Sequence, residues 1–172
     1  MNIHSATAYL DYKWKAQNRH GVHSPFAYAL VEDVIENKAK ITPATTVIPW
    51  QRQPAERYDV LTRRMITYYG YKSIAHMPVN GTGQNASYDL LLMDDAAPGQ
   101  WTAQLHNHLP LLTNDSMILL SGIHAGKAQS QAWEALCCDP HVRMSIDLYG
   151  IGLLFFKKEF KERQHFVLRT NG

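Results

Sequence analysis

The chain has 172 residues and a mass of 19.6 kDa, within the ~100–200 residues typical of one domain, so one compact domain is expected and a second full domain is not. Hydrophobic residues at 45% supply a core, and charged residues at 19% are too few for a disordered acidic or basic tail. A formal charge of +2 gives no reason to expect a nucleic-acid partner.

The two cysteines are the neighbours Cys137 and Cys138, whose mutual disulfide would be strained, so a reducing compartment, the cytoplasm, is expected. Met1 to Leu10 lacks the basic start and apolar stretch of a secretory signal, and no apolar run approaches the roughly 20 residues that span a bilayer. No membrane association is expected.

In chain order, Ala8, Leu10, Tyr12 and Trp14 lie in a segment free of Gly and Pro, which predicts a first helix. Ser24-Pro25 has the form of a cap followed by proline at the first helical position, and Phe26, Leu30, Val31, Val34 and Ile35 continue at helical spacing. Pro43, Pro49 and Pro54 make the stretch from Asn37 to Pro54 a connector. Val60, Leu61, Arg64, Met65, Tyr68 and Tyr69, closed by Gly70, predict a third helix.

Beyond Gly70 the pattern changes to short apolar runs closed by turn residues. Ser73 to Met77 and Tyr88 to Asp94 read as strands, the second apolar on both faces as a strand covered by helices on both sides would be. Gln100 to Leu112 forms a helix broken near Pro110, Ser116 to Leu120 a strand, and Ala128 to Leu136 a helix. Val142 to Leu148, Ile151 to Phe156 and His165 to Leu168 are strands, with Tyr149-Gly150 as a tight reversal. This alternation predicts an α/β fold: an open mixed sheet with helices on both faces and antiparallel strands near its C-terminal end. The expected organisation is a helical arm and connector over 1–70 and an α/β domain over 71–172, forming one compact unit.

Asp94 and Asp95 close a buried strand, and open α/β sheets bind ligands outside the carboxyl ends of their strands. A carboxylate there suits a metal, a ribose or an amine, or it is a turn and cap residue. His124 follows the next strand and is expected within reach of Asp94, as a general base, a ligand or a packed loop histidine. Asn80-Gly81-Thr82-Gly83 is either a backbone cradle for a nucleotide or a turn. His106 and His108, two apart, face away from each other on a helix, and with no third ligand at recognisable spacing no metal site is expected. Cys137 and Cys138 are expected to pack rather than react, and the charged run Lys157 to Arg163 reads as a solvated turn. Arg19, His20, His23 and Ser24 crowd the start of the second helix, where they either receive an anion or form a structural cap.

The stretch from Tyr9 through Asn18-Arg19-His20-Gly21-Val22-His23-Ser24-Pro25-Phe26 resembles the N-terminal arm of a bacterial group of class I S-adenosylmethionine-dependent methyltransferase-like proteins. The second half is similar to the same group in Tyr88-Asp89-Leu90-Leu91-Leu92-Met93-Asp94, Ile123-His124, Ala132-Trp133, Asp139-Pro140-His141-Val142, Ser145-Ile146-Asp147-Leu148, Gly152-Leu153-Leu154-Phe155-Phe156-Lys157 and Gln164-His165-Phe166-Val167-Leu168-Arg169. The resemblance implies a Rossmann-like methyltransferase sheet, S-adenosylmethionine as cofactor in an active member, and Asp94 and His124 as the positions that carry over to the reaction.

The chain also departs from that pattern. The group has a glycine loop after the first strand and an acidic residue on the second for the donor ribose. Here only about ten residues separate Pro78 from Tyr88, whereas each βα unit needs roughly 15 or more. The second and third strands of the usual sheet do not fit, and Asn80 to Gly83 is at most the stump of the loop. Where the group has Asp-Asp-Ile-His-Trp, this chain has Ser121-Gly122-Ile123-His124-Ala125. A truncated, degenerate sheet follows, and with it a protein that has lost the methyl donor and acts as an interaction or regulatory module. The alternative is an active methyltransferase with a rearranged or dimer-completed donor pocket. The truncation turns Ser73 to Met77 into a sheet edge, expected to be covered by the N-terminal arm, a second copy or another protein.

Overall fold

The structure is a computed structural model that describes residues 3–16, 23–36, 40–79, 87–94 and 97–170. Its helices are α1 (Ile3–Lys15), α2 (Pro25–Ala29, running into a π-helical segment Leu30–Glu36), α3 (Glu56–Tyr69), α4 (Trp101–His108) and α5 (Lys127–Cys137). The strands are β1 (Ile74–His76), β2 (Tyr88–Met93), β3 (Leu112–Ser121), β4 (Met144–Asp147), β5 (Ile151–Phe155) and β6 (Gln164–Val167). They form one mixed sheet of order β1-β2-β3-β5-β4-β6. β1, β2 and β3 are mutually parallel, β5 is antiparallel to both β3 and β4, and β6 is parallel to β4. Five strands therefore point their carboxyl ends to the same edge, and only β5 opposes them.

The period-2 alternation of β2 explains the layering. Leu90 and Leu92 join a core with Leu30, Val34, Leu61 and Met65 from α2 and α3, while Leu91 and Met93 join a second core with Trp101, Leu105, Trp133 and Leu136 from α4 and α5. All four β2 side chains are fully buried, as helices on both faces require. Because α2 and α3 supply one of these cores, these two helices are packed into the sheet domain.

α3 ends where expected, with Gly70 in the left-handed region at φ +67° and Tyr71 N–H bonded back to Ile66 O at 3.0 Å. Tyr149-Gly150 makes the β4–β5 reversal, closed by Leu148 N–H to Ile151 O at 3.0 Å. Glycine is needed at 150 because a Cβ there would lie 2.0 Å from the Tyr58 ring, whose hydroxyl donates to Leu148 O at 3.1 Å.

Two expectations are corrected and a third is narrowed. Ser24 precedes α2, but its side chain makes no capping hydrogen bond; the serine is buried and its carbonyl accepts Tyr28 N–H at 2.8 Å. β3 begins at Leu112 and not at Ser116, because Leu112 already pairs with Tyr88; the polar Thr113-Asn114-Asp115 stretch bulges out of the ladder before Met117 pairs with Leu90, and Ser116 Oγ closes the bulge on Tyr88 O at 2.6 Å. Within the arm, α1 does not lie against β1. Tyr12 of α1 donates to Leu168 O, just past β6, and Arg169 Nε reaches Ala16 O at 3.2 Å, so α1 sits toward the opposite side of the sheet. β1 itself is three residues long, half-buried, and paired with β2 alone among the described residues.

Candidate functional site

The carboxyl edge of the sheet gathers the ends of β1, β2, β3 and β4, and with them two histidine–carboxylate pairs. Asp94, just past β2, is buried. Its Oδ2 accepts the backbone N–H groups of both Gln51 and Arg52 at 2.9 Å, and its Oδ1 meets Nε2 of His76, the last residue of β1. The connector from Lys40 to Ala55 thus folds back over the strand ends and docks on this carboxylate. The recess that remains beside it, lined by Arg52, Tyr58, Trp101, Ser121 and Gln129, has a volume of about 290 Å³. That lies at the lower limit of small-molecule clefts, roughly 300–1,000 Å³.

His124 is not paired with Asp94. From the loop after β3 it reaches across the start of β5 to Asp147, the last residue of β4, with Nε2 2.6 Å from Asp147 Oδ2. Its Nδ1 lies 3.1 Å from Ser130 Oγ on α5, and its ring stacks on Tyr149 at 5.6 Å between centroids. Asp147 Oδ1 accepts Tyr149 N–H at 2.7 Å, which fixes the carboxylate. With the neutral ring protonated on Nε2, Nδ1 is free to accept from Ser130, giving a carboxylate–imidazole–hydroxyl chain. The roles follow the order of a serine–histidine–aspartate triad with the two ring nitrogens exchanged. Such a chain can hold and move a proton at Ser130 Oγ.

These groups border a recess of about 690 Å³ between α1, α5 and the β4–β6 edge. Asp11, Lys15, Trp133 and His165 contribute to its walls. Its volume is ample for a small molecule. Burial pushes the His165 imidazole below its ordinary pKa, so the ring enters as a neutral group, bonded through Nδ1 to Ser145 Oγ at 2.8 Å. Burial also pushes the Cys137 thiol up to about 12, which makes it a packing residue and not a nucleophile. Cys138 beside it is exposed.

Arg19, His20 and Asn80 to Gly83, together with Asp95, lie outside the described residues. His23 is exposed and Ser24 buried, and both precede α2. The Lys157 to Arg163 turn does link β5 and β6, although Phe160 packs on Phe26 at 5.2 Å. His106 and His108 diverge as expected: His108 Nε2 accepts Val79 N–H at 3.0 Å, its Nδ1 meeting Gln104 O. The expectation that no further ligand accompanies them is corrected for His106, which joins Asp139 and His141.

Sequence reasoning missed His76, Asp147, Ser130 and Asp139 as partners. A polar residue at the end of each predicted strand was a usable signal for His76 and Asp147. Nothing local marks Ser130, which lies within α5, six residues after His124. No helix among the described residues is long and apolar enough to cross a membrane. No protein-family model matches the chain, and no curated protein matches it either.

Proposed function

We propose that this chain is a methyltransferase-like α/β protein that works without the methyl donor, as a binding or regulatory module. The observation that carries the reading is the docking of the Gln51 and Arg52 backbone on Asp94. In open α/β sheets the ligand sits outside the strand carboxyl ends, and here the protein's own connector occupies that place. Differential binding of a transition state requires a held donor, and the 290 Å³ that remains offers little room for one.

Strand order supports the methyltransferase-like part of the reading. A doubly wound sheet of order 3-2-1-4-5-6 that loses its second and third strands leaves 1-4-5-6, with the first strand at the edge. The present order, β1-β2-β3-β5-β4-β6, has that form over its first five strands with β5 inserted as an antiparallel strand, and β6 is added at the far edge. The edge of β1, short and followed by Pro78, is then the surface through which the module pairs with a second copy or another protein.

Isothermal titration of the full chain with S-adenosylmethionine and S-adenosylhomocysteine, up to about 1 mM, detects binding as weak as about −4 kcal/mol. No saturable heat is expected. Saturable binding overturns the reading in favour of an active enzyme with a rearranged donor pocket. Light scattering across a range of concentrations tests the edge: a dimer supports pairing with a second copy, and a monomer throughout removes that partner.

A further inference from the structure

At the other end of the sheet, away from both pairs above, His106 in the last turn of α4 meets Asp139 and His141 in the turn between α5 and β4. His106 Nε2 lies 2.7 Å from Asp139 Oδ2, and His141 Nδ1 lies 3.0 Å from Asp139 Oδ1. One ligand atom from each residue falls within 4.8 Å of the other two. We propose that His106, Asp139 and His141 form a binding site for a divalent transition metal of the zinc type, held by two imidazoles and one carboxylate with its remaining positions open to water.

The donor set selects the ion class. Imidazole nitrogen suits Zn²⁺, Co²⁺ and Ni²⁺, whereas Mg²⁺ and Ca²⁺ ask for an all-oxygen shell. Zinc–ligand bonds of about 2.0–2.1 Å in a tetrahedron place ligand atoms roughly 3.3 Å apart. The separations of 2.7 and 3.0 Å are those of hydrogen bonds across the same gap, so small rotations of the imidazoles convert one arrangement into the other.

The site is held in advance. The Asp139 side chain is only 5% exposed, and its Oδ1 accepts the His141 backbone N–H at 2.9 Å, which fixes the carboxylate independently of any ion. Asp139 N–H in turn bonds Leu136 O at 3.1 Å, anchoring the turn to the end of α5. Pro140 restricts the backbone between the two ligands of the turn. The imidazoles, by contrast, are 47% and 51% exposed, so an ion enters from solvent without opening the fold. A three-ligand shell open on one side is the form of zinc sites that keep a water or take an outside ligand. Bound there, the metal ties α4 to the α5–β4 turn across 33 residues of sequence.

The test uses the full chain, without any histidine tag and stripped of metal by chelation, titrated with Zn²⁺ by calorimetry and with Co²⁺ by visible absorption. One saturable site is expected, weakened at least tenfold by His106→Ala and by His141→Ala. Cys138→Ser, next to the cluster, leaves the affinity unchanged, and the Co²⁺ spectrum lacks a thiolate charge-transfer band. Absence of saturable binding overturns the proposal. So does binding that survives both histidine variants, or that disappears with Cys138→Ser, since either places the ion elsewhere. Asp139→Asn is the third variant; because it touches the helix end, its folding is checked by circular dichroism, and the exposed histidines carry the test without it.

Discussion

Asp147 holds His124 through a 2.6 Å contact between Oδ2 and Nε2, although 23 residues and a whole helix separate them in sequence. The carboxylate side chain is 6% exposed and the imidazole 16%, so little water competes for the bond. Asp147→Ala removes the acceptor of both the His124 ring and the Tyr149 N–H, leaving two groups in a water-poor site without their partner. A loss of about 2–3 kcal/mol is expected from urea unfolding. Asp147→Asn, which retains an oxygen for Tyr149, should lose less.

Asp94 is expected to behave as an anchor for the connector. Asp94→Ala strips the acceptor from two backbone N–H groups, with an expected loss of about 2–3 kcal/mol. Because it frees the chain around Arg52, native-state trypsin digestion should cut there faster in the variant. Equal cleavage rates in the two proteins would show that the connector is held by other contacts.

The stability of the fold should fall with acid in a window set by His165. Burial, opposed by the negative charge of Asp147 and helped by Lys15 and His124, pushes its folded pKa below the usual 6.5. The unfolded chain therefore binds more protons than the folded one as pH drops through 6.5, and stability present above that value is lost below it. Urea midpoints measured at about pH 7.5 and about pH 5.5 should fall further for the natural chain than for His165→Gln. An equal fall in both assigns the acid sensitivity to other groups.

Gly152 is expected to be irreplaceable while Trp133 is present. A Cβ at 152 would lie 2.6 Å from Trp133 Cζ3 and 2.7 Å from Cη2, atoms of the fused six-membered ring. Gly152→Ala should cost about 1–3 kcal/mol through overpacking. In a Trp133→Phe background those atoms move or vanish, and a double-mutant cycle should show a smaller cost. Additive losses would mean that the backbone of β5, and not the indole, opposes the methyl group.

The elements were legible where a local rule was strong. Gly70 closes α3 because a left-handed residue is needed there, and Leu90 to Met93 reads as a strand because an unbroken apolar run fits only a strand covered on both sides. On α1, Leu10, Tyr12 and Trp14 are spaced by two, so a helix cannot bury them together. The structure buries Tyr12 and leaves Leu10 and Trp14 at 67% and 90% exposure. Thr113 to Asp115 have the composition of a turn, and they fall within β3 as a bulge, because Leu112 before them and Met117 after them both pair with β2.

The sequence by itself determined the α/β class, the near-complete set of helices and strands and the carboxyl ends at which Asp94 and His124 lie, because side-chain periodicity and turn chemistry act over a few residues. Only the tertiary structure decided who their partners are. Asp94 is claimed by a connector 42 and 43 residues away, His124 by a carboxylate two strands across the sheet, and His106 by a turn 33 residues on. Hydrogen bonds and ion contacts of this kind follow from strand order and helix placement. Those are set by burial summed over the whole core, which no short window of sequence contains.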